Sequence, residues 1–153
     1  MSRCRTGTCI SLRKANLQET IFRDASLELV DLSDACLENA YMSGADLSRT
    51  WLCNASMKMT RLNGSNLYQA CLQGAQMQGV KMRWAYLREA DLRNVNLQKE
   101  EDHETDLQDS NLQMALLEDV KLQDVNLKGA DLRGTSLTQE QREWAESVGA
   151  RLL

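Results

Sequence analysis

Between Gly44 and Leu67 the chain places a bulky apolar residue at Leu47, Leu52, Met57, Leu62 and Leu67, an interval of five. Five residues turn an α-helix by about 140°, so these side chains would spiral around a helix instead of lining one face. In a strand, an odd interval sends successive side chains to opposite faces of the sheet. The pattern therefore predicts neither an amphipathic helix nor an ordinary strand. It fits a chain that bends after each pentapeptide and returns every fifth side chain to a common axis, so that bent units stack. From Leu12 to Leu137 the register holds Leu, Met or Phe at 25 of 26 fifth positions, and only Asp102 breaks it. The position two before each is Ala, Val, Thr or Ser at 24 of the same 26 sites, Ile10 and Glu100 excepted. Both residues are read as interior and the other three of each unit as surface.

After Leu137 the period gives way to "TQEQREWAESVGARLL". Thr138 with Gln141 has the spacing of a capping box, Trp144, Ala145 and Val148 share one helical face, and Gly149 is placed to stop the helix. Stacked coils leave open strand edges and apolar interior at each end, so this helix is expected to cover the last coil, with Trp144 packing down on it. A dimer seam at the same helix end is the alternative. Residues 1–9 form a lead segment with no comparable cap.

The unit small–polar–Leu–x–x, as in "ANL" (15–17), "ADL" (45–47), "SNL" (65–67), "ADL" (90–92), "VNL" (95–97) and "ADL" (130–132), resembles the A-(D/N)-L-x-x signature of pentapeptide-repeat proteins over residues 10–139. The resemblance implies an all-β solenoid, a right-handed quadrilateral β-helix with four pentapeptides per coil. That geometry gives about 6–7 coils, a rod of roughly 31 Å at the spacing of stacked strands, followed by a C-terminal capping α-helix and tail over 138–153. It also implies that the C-terminal end can join two rods. Some members that protect type II topoisomerases resemble B-DNA in shape and charge and bind the enzyme's DNA saddle.

Composition narrows the rest. The chain has no Pro, which suits coils that must all donate backbone hydrogen bonds to their neighbours. Gly44, Gly64, Gly74, Gly79, Gly129 and Gly134 fall two after a central residue, where a tight corner favours positive φ. This also removes "GAQMQGVK" (74–81) as a phosphate loop, since Val80 intervenes, no Ser or Thr follows Lys81, and the glycine spacing is that of the repeat. No signal-type h-region or membrane-length apolar run occurs, so a cytoplasmic protein without membrane association is expected. Five cysteines without CxxC spacing, Cys4, Cys9, Cys36, Cys53 and Cys71, are read as reduced surface thiols. With a single histidine, His103, and no nucleophile–base constellation, no catalytic residue, metal site or cofactor is expected. The polar unit within 99–106, "KEEDHETD", keeps the ten-residue spacing from Leu97 to Leu107; this is read as a unit gone polar with nothing inserted. Asp102 is then expected to swing outward from its place between Met82 and Leu122, because a carboxylate on the apolar axis is costly.

Function is thus sought on the outer surface, as binding of a protein partner whose identity stays open. Tyr68 and Tyr86 are expected one coil apart on one side, with Trp84 and Tyr41 at or near the adjoining corner and Arg83 and Arg88 beside them, the composition of a binding hot spot. The alternative is a DNA mimic that binds a type II topoisomerase through Asp91, Glu100, Asp102, Asp106, Asp109, Asp124 and Asp131. Up to Lys99 there are 13 basic and 9 acidic residues, and from Glu100 onward 5 basic and 13 acidic, net +4 and −8. A phosphate mimic needs acid along most of its length. Stacking by twenty gives Ile21, Tyr41, Arg61, Lys81, Glu101 and Lys121 on one ladder, which is unlike one, and Asp31, Asp91 and Asp131 on another, interrupted by Trp51 and Cys71. Lys81, Arg83, Arg88 and Arg93 form a modest basic patch, but the net charge of −4 and the lack of a recognition motif argue against direct nucleic-acid binding.

Overall fold

The computed structural model describes residues 10–153, and in it the chain winds as a four-sided tube. The residue before each central side chain pairs in parallel with the residue twenty further on: Ser11 with Asp31, Asn16 with Cys36, Ile21 with Tyr41, Ser26 with Asp46. These pairings start four ladders, which we number as faces one to four in that order. Each corner is closed by a turn whose bond runs back to the central residue, as from Ala15 N to Leu12 O at 3.0 Å. The second residue after the central one takes positive φ at every corner from Lys14 to Asn94 and from Asp109 to Gly134, and the six glycines expected there lie between 66° and 76°. Lys14, Glu19, Leu29, Met59 and Trp84 hold the same left-handed region, between 56° and 61°. A side chain there costs about 1–2 kcal/mol. The turn bond, and a second bond from the corner N–H to the next turn (Lys14 N to Ser33 O, 3.0 Å), impose the conformation whether or not glycine is present.

The central side chains and the small residues before them form one dry column; Leu47, Met57, Leu67 and Leu87 have no solvent exposure. Where a small position carries a hydroxyl, it bonds to a backbone carbonyl: Thr50 Oγ1 donates to Leu27 O and Thr60 Oγ1 to Leu37 O, both at 2.8 Å. No polar atom of these side chains is left unpaired, as a dry interior requires.

The register changes once. Through Gln76 and Asn96 the pairing offset is twenty, but Lys81 pairs with Asp106, Tyr86 with Asn111 and Asp91 with Leu116, an offset of 25. A unit's worth of chain has therefore been inserted, contrary to the expectation of a unit merely gone polar. Leu107, not a residue of the polar unit, follows Met82, since Met82 N donates to Asp106 O at 2.7 Å. The extra chain leaves the tube as a hairpin in which Glu100 and His103 exchange backbone bonds (3.1 and 2.8 Å), with Glu101 and the exposed Asp102 at its tip. The ladder of face three accordingly reads Ile21, Tyr41, Arg61, Lys81, Asp106, Asn126; neither Glu101 nor Lys121 belongs to it. Asp131 lies on face four above Asn111, and not with Asp31 and Asp91 on face one. Beyond the hairpin the offset of twenty returns, with β1 (Thr105–Asp106) paired in parallel with β2 (Val125–Asn126).

The last turn is part helix. α1, Gln139–Ser147, starts with a reciprocal capping box between Thr138 and Gln141 and ends at Val148, followed by Gly149 at φ 84°. The chain then returns to face four, where Arg151 pairs with Asp131. Ala145 is fully buried and Trp144 packs partly against the core. Gln141 fills the gap between helix and tube: its amide donates to Leu117 O at 3.1 Å and Val120 O at 2.8 Å.

Cys53 and Cys71 are joined by a disulfide, with Cα atoms 5.8 Å apart, which corrects the reading of both as free thiols. Cys53 follows the central Leu52, and Cys71 precedes the central Leu72 of the next turn. They are diagonal neighbours on face one, a proximity that a separation of 18 residues conceals unless the turn length is known. Cys36 is free, and Cys4 and Cys9 lie outside the described residues.

Candidate functional site

Two surfaces hold the residues singled out above. The first is the corner between faces three and four. Trp84 occupies the left-handed corner position with 62 % of its surface exposed, and Tyr86, 39 % exposed, begins face four two residues later. Tyr68 lies beside it on the turn below, ring centroids 6.1 Å apart and planes tilted by 37°. Behind these rings Glu89 accepts from Gln69 at 2.9 Å and Tyr68 at 3.4 Å, with Arg88 at 3.3 Å. The Gln69 hydrogen bond, helped by Arg88, holds the Glu89 carboxyl below its ordinary range. Arg83, on the face-three side of the corner, is tied to Asp106. Trp84, Tyr86, Tyr68 and Arg88 thus form one patch. Tyr41 does not join it: it sits on face three, its ring beneath the guanidinium groups of Arg61 at 5.0 Å and Arg23 at 5.7 Å.

The acidic residues are dispersed. Asp91 is on face one, Asp106 on face three, Asp131 on face four, Asp109 and Asp124 at different corners, and Glu100 and Asp102 in the hairpin. Several carry their own cations. Asp91 is bound by Arg93 (2.7 Å), Asp131 by Arg133 (2.6 Å) and Glu100 by Lys58 (3.1 Å), while the mostly buried Asp106 takes Arg83 and the Asn126 amide. The Arg133 hydrogen bond draws the Asp131 carboxyl down to about 2, so it stays ionised throughout the neutral and mildly acid range. No continuous acidic strip results.

The hairpin creates the second surface, which the sequence reading did not anticipate because it kept that unit in the stack. On one side, a cleft of about 420 Å³ opens between the hairpin and α1, with Glu101, Asp102, Glu104, Asp124, Trp144 and Val148 among its walls. On the other, the hairpin folds back along the tube and His103 closes over Gly79, where an added Cβ would stand 3.2 Å from the histidine Cβ. There it bounds a cleft of about 300 Å³ on face three, with Tyr41, Arg61 and Lys81. Among the described residues, no three His, Cys, Asp or Glu side chains are grouped to hold a metal ion, and no helix is long and apolar enough to cross a membrane.

The family model for pentapeptide repeats (8 copies) matches residues 10–49, 47–83 and 103–139, leaving out residues 84–102, which run from Trp84 to the hairpin tip. Among solved structures, the chain is similar to HetL, a pentapeptide repeat protein involved in heterocyst differentiation regulation from the cyanobacterium Nostoc. That match has 25 % identity and a TM-score of 0.48, over 93 % of this chain and 76 % of that one. It is also similar to a trypsin-treated form of QnrB1, a plasmid-mediated fluoroquinolone resistance protein, at 18 % identity and a TM-score of 0.52, over 85 % and 69 % of the two chains. A third match is a pentapeptide repeat protein of the Arabidopsis thaliana thylakoid lumen, with 26 % identity and a TM-score of 0.39 over 86 % and 81 %. No functionally curated protein matches the chain.

Proposed function

The chain belongs to the pentapeptide-repeat family, and from that premise we propose that it is a non-enzymatic scaffold that binds a partner protein through the Trp84 corner. One observation carries this reading. A large aromatic side chain stands 62 % exposed on a backbone position that disfavours side chains, and the fold gains little burial from it. Aromatic rings with an arginine beside them, on a rigid surface, are what a partner can desolvate at low entropic cost. α1 serves the same role indirectly, by closing the tube end so that the sides remain the surface for recognition.

The DNA-mimic alternative has less support. Four of its seven carboxylates are already paired with cations of this chain, and the seven are spread over several faces. The likeness to QnrB1 extends to the fold alone.

The test uses the immobilised full chain and an extract of its source. Partners retained by the parent protein are expected to be lost by the W84S/Y86S variant. They should be kept by M114S, which removes another exposed apolar side chain at a different corner. Circular dichroism should be the same for all three. Undiminished capture by W84S/Y86S would remove the Trp84 corner as the site, and capture displaced by linear duplex DNA would favour the mimic.

A further inference from the structure

We propose that face three carries a binding site for a small phosphate-bearing ligand, with Arg61 and Lys81 as its cations and Tyr41 and His103 as its walls. Arg61 and Lys81 pair directly in the parallel ladder, so their backbones are about 4.8 Å apart and like charges stand on adjacent rungs. Such a juxtaposition is destabilising unless something offsets it. The carboxylate on the next rung, Asp106, is taken by Arg83, just as Asp34, Asp91 and Asp131 are taken by Arg13, Arg93 and Arg133. Among the described residues, neither Arg61 nor Lys81 forms a salt bridge.

Both cations are nonetheless held in place. The Arg61 guanidinium stacks over the Tyr41 ring at 5.0 Å, and Lys81 Nζ donates to Glu104 O at 2.6 Å, a contact supplied by the extruded hairpin. The adjoining cleft of about 300 Å³ is lined by Asn39, Tyr41, Arg61, Asn63, Lys81 and His103, with Met59 and Gly79, and has no carboxylate in its wall. Asn63 Oδ1 accepts the Arg83 N–H at 3.0 Å, which leaves its amide NH2 as a donor. A planar guanidinium, an ammonium and an amide donor around one cavity suit a tetrahedral oxyanion.

The cavity is at the small end of ligand sites, which limits the occupant to a compact molecule. A long polyanion is disfavoured because the hairpin beside the cleft carries Glu100, Glu101, Asp102 and Glu104, and everything beyond Lys99 has a net charge of −8. The nearby carboxylates therefore favour a compact occupant over a long one.

Pyrophosphate and inorganic phosphate, titrated calorimetrically into the full chain at low ionic strength, test this. Saturable binding is expected, weakened about tenfold or more in R61Q and in K81Q. It should be unchanged in K121Q, which removes an exposed cation outside the cleft. Both phosphates should raise the melting temperature of the parent protein, and neither should do so in R61Q, whose circular dichroism is expected to match the parent's. Lack of saturation, or equal weakening in K121Q, overturns the proposal. So does tighter binding of a single-stranded oligonucleotide lost in the same variants, which would make this a nucleic-acid surface.

Discussion

At the residue scale, the tube depends on small polar repairs wherever its backbone pattern is interrupted. Thr105 is the clearest. In a regular corner the N–H at the position of Gly79 bonds to a carbonyl of the next turn, as Met59 N does to Gln78 O. Where the hairpin departs, the fully buried Thr105 hydroxyl accepts from Gly79 N at 3.0 Å and donates to Met77 O at 3.3 Å. Thr105→Val keeps shape and volume but strands a buried donor and acceptor, so a loss of about 1–3 kcal/mol in unfolding free energy is expected by urea denaturation. Thr105→Ser should recover most of it, and equal stability of all three proteins would show that the hydroxyl contributes nothing. Gln141 is the counterpart at the tube's end. Its amide engages Leu117 O and Val120 O while its Oε1 accepts from Thr138 N at 2.9 Å, so one side chain both starts the helix and seals the rung beneath.

At the element scale, the pentapeptide keeps its identity whether or not it lies in the stack. The hairpin removes residues from the tube without changing which side chains point inward, because Leu97 and Leu107 remain one unit apart in the wall. Deleting Glu100–Glu104 would leave them five apart in sequence, and the product is expected to fold with an unchanged circular dichroism spectrum and a modest loss of stability. Deleting Ala90–Asn94 also removes five residues, but from inside the tube, so every later unit must rotate by one face. Loss of the contacts that span the deletion, Arg83 with Asp106 and Thr105 with Gly79 and Met77, and a sharply lower melting temperature are expected there; equal melting temperatures for the two deletions would contradict the assigned register. The same feature marks where the sequence could be read and where it could not. Interior positions, corners and the capping box were legible because each is local and recurs. The phase shift was not, since a unit lost from the stack leaves the count of five intact. The Cys53–Cys71 link was hidden similarly, because a diagonal between turns has no local spacing. Stacking by twenty displaces the face assignments after Leu97 by one unit for this reason, and so puts Asp131 with Asp91.

At the scale of the whole molecule, a tube has two ends and four sides, and the described structure treats them differently. The carboxyl end is covered by α1 and the returning strand at Arg151. At the other end of the described residues, Leu12, Leu17 and Phe22 are only partly buried. A chain ending at Leu137 would expose the last rung's carbonyls and the apolar column together, a template for edge pairing. It is expected to self-associate in light scattering at concentrations where the parent protein does not, and a non-associating truncation would show that α1 is dispensable as a cover. Charge is divided along the same axis, positive before the hairpin and negative after it, so a partner approaching the Trp84 corner meets a field that changes sign along the rod and fixes its orientation.

The extruded hairpin also sets the grammar by which such a chain can lengthen. An addition parked outside the wall at a corner leaves the downstream faces in phase; only an addition within the wall must come in whole pentads if every subsequent side chain is to stay on the axis. The Glu101–Asp102 tip is therefore a natural splice point, where foreign peptides could be displayed with their ends already brought together.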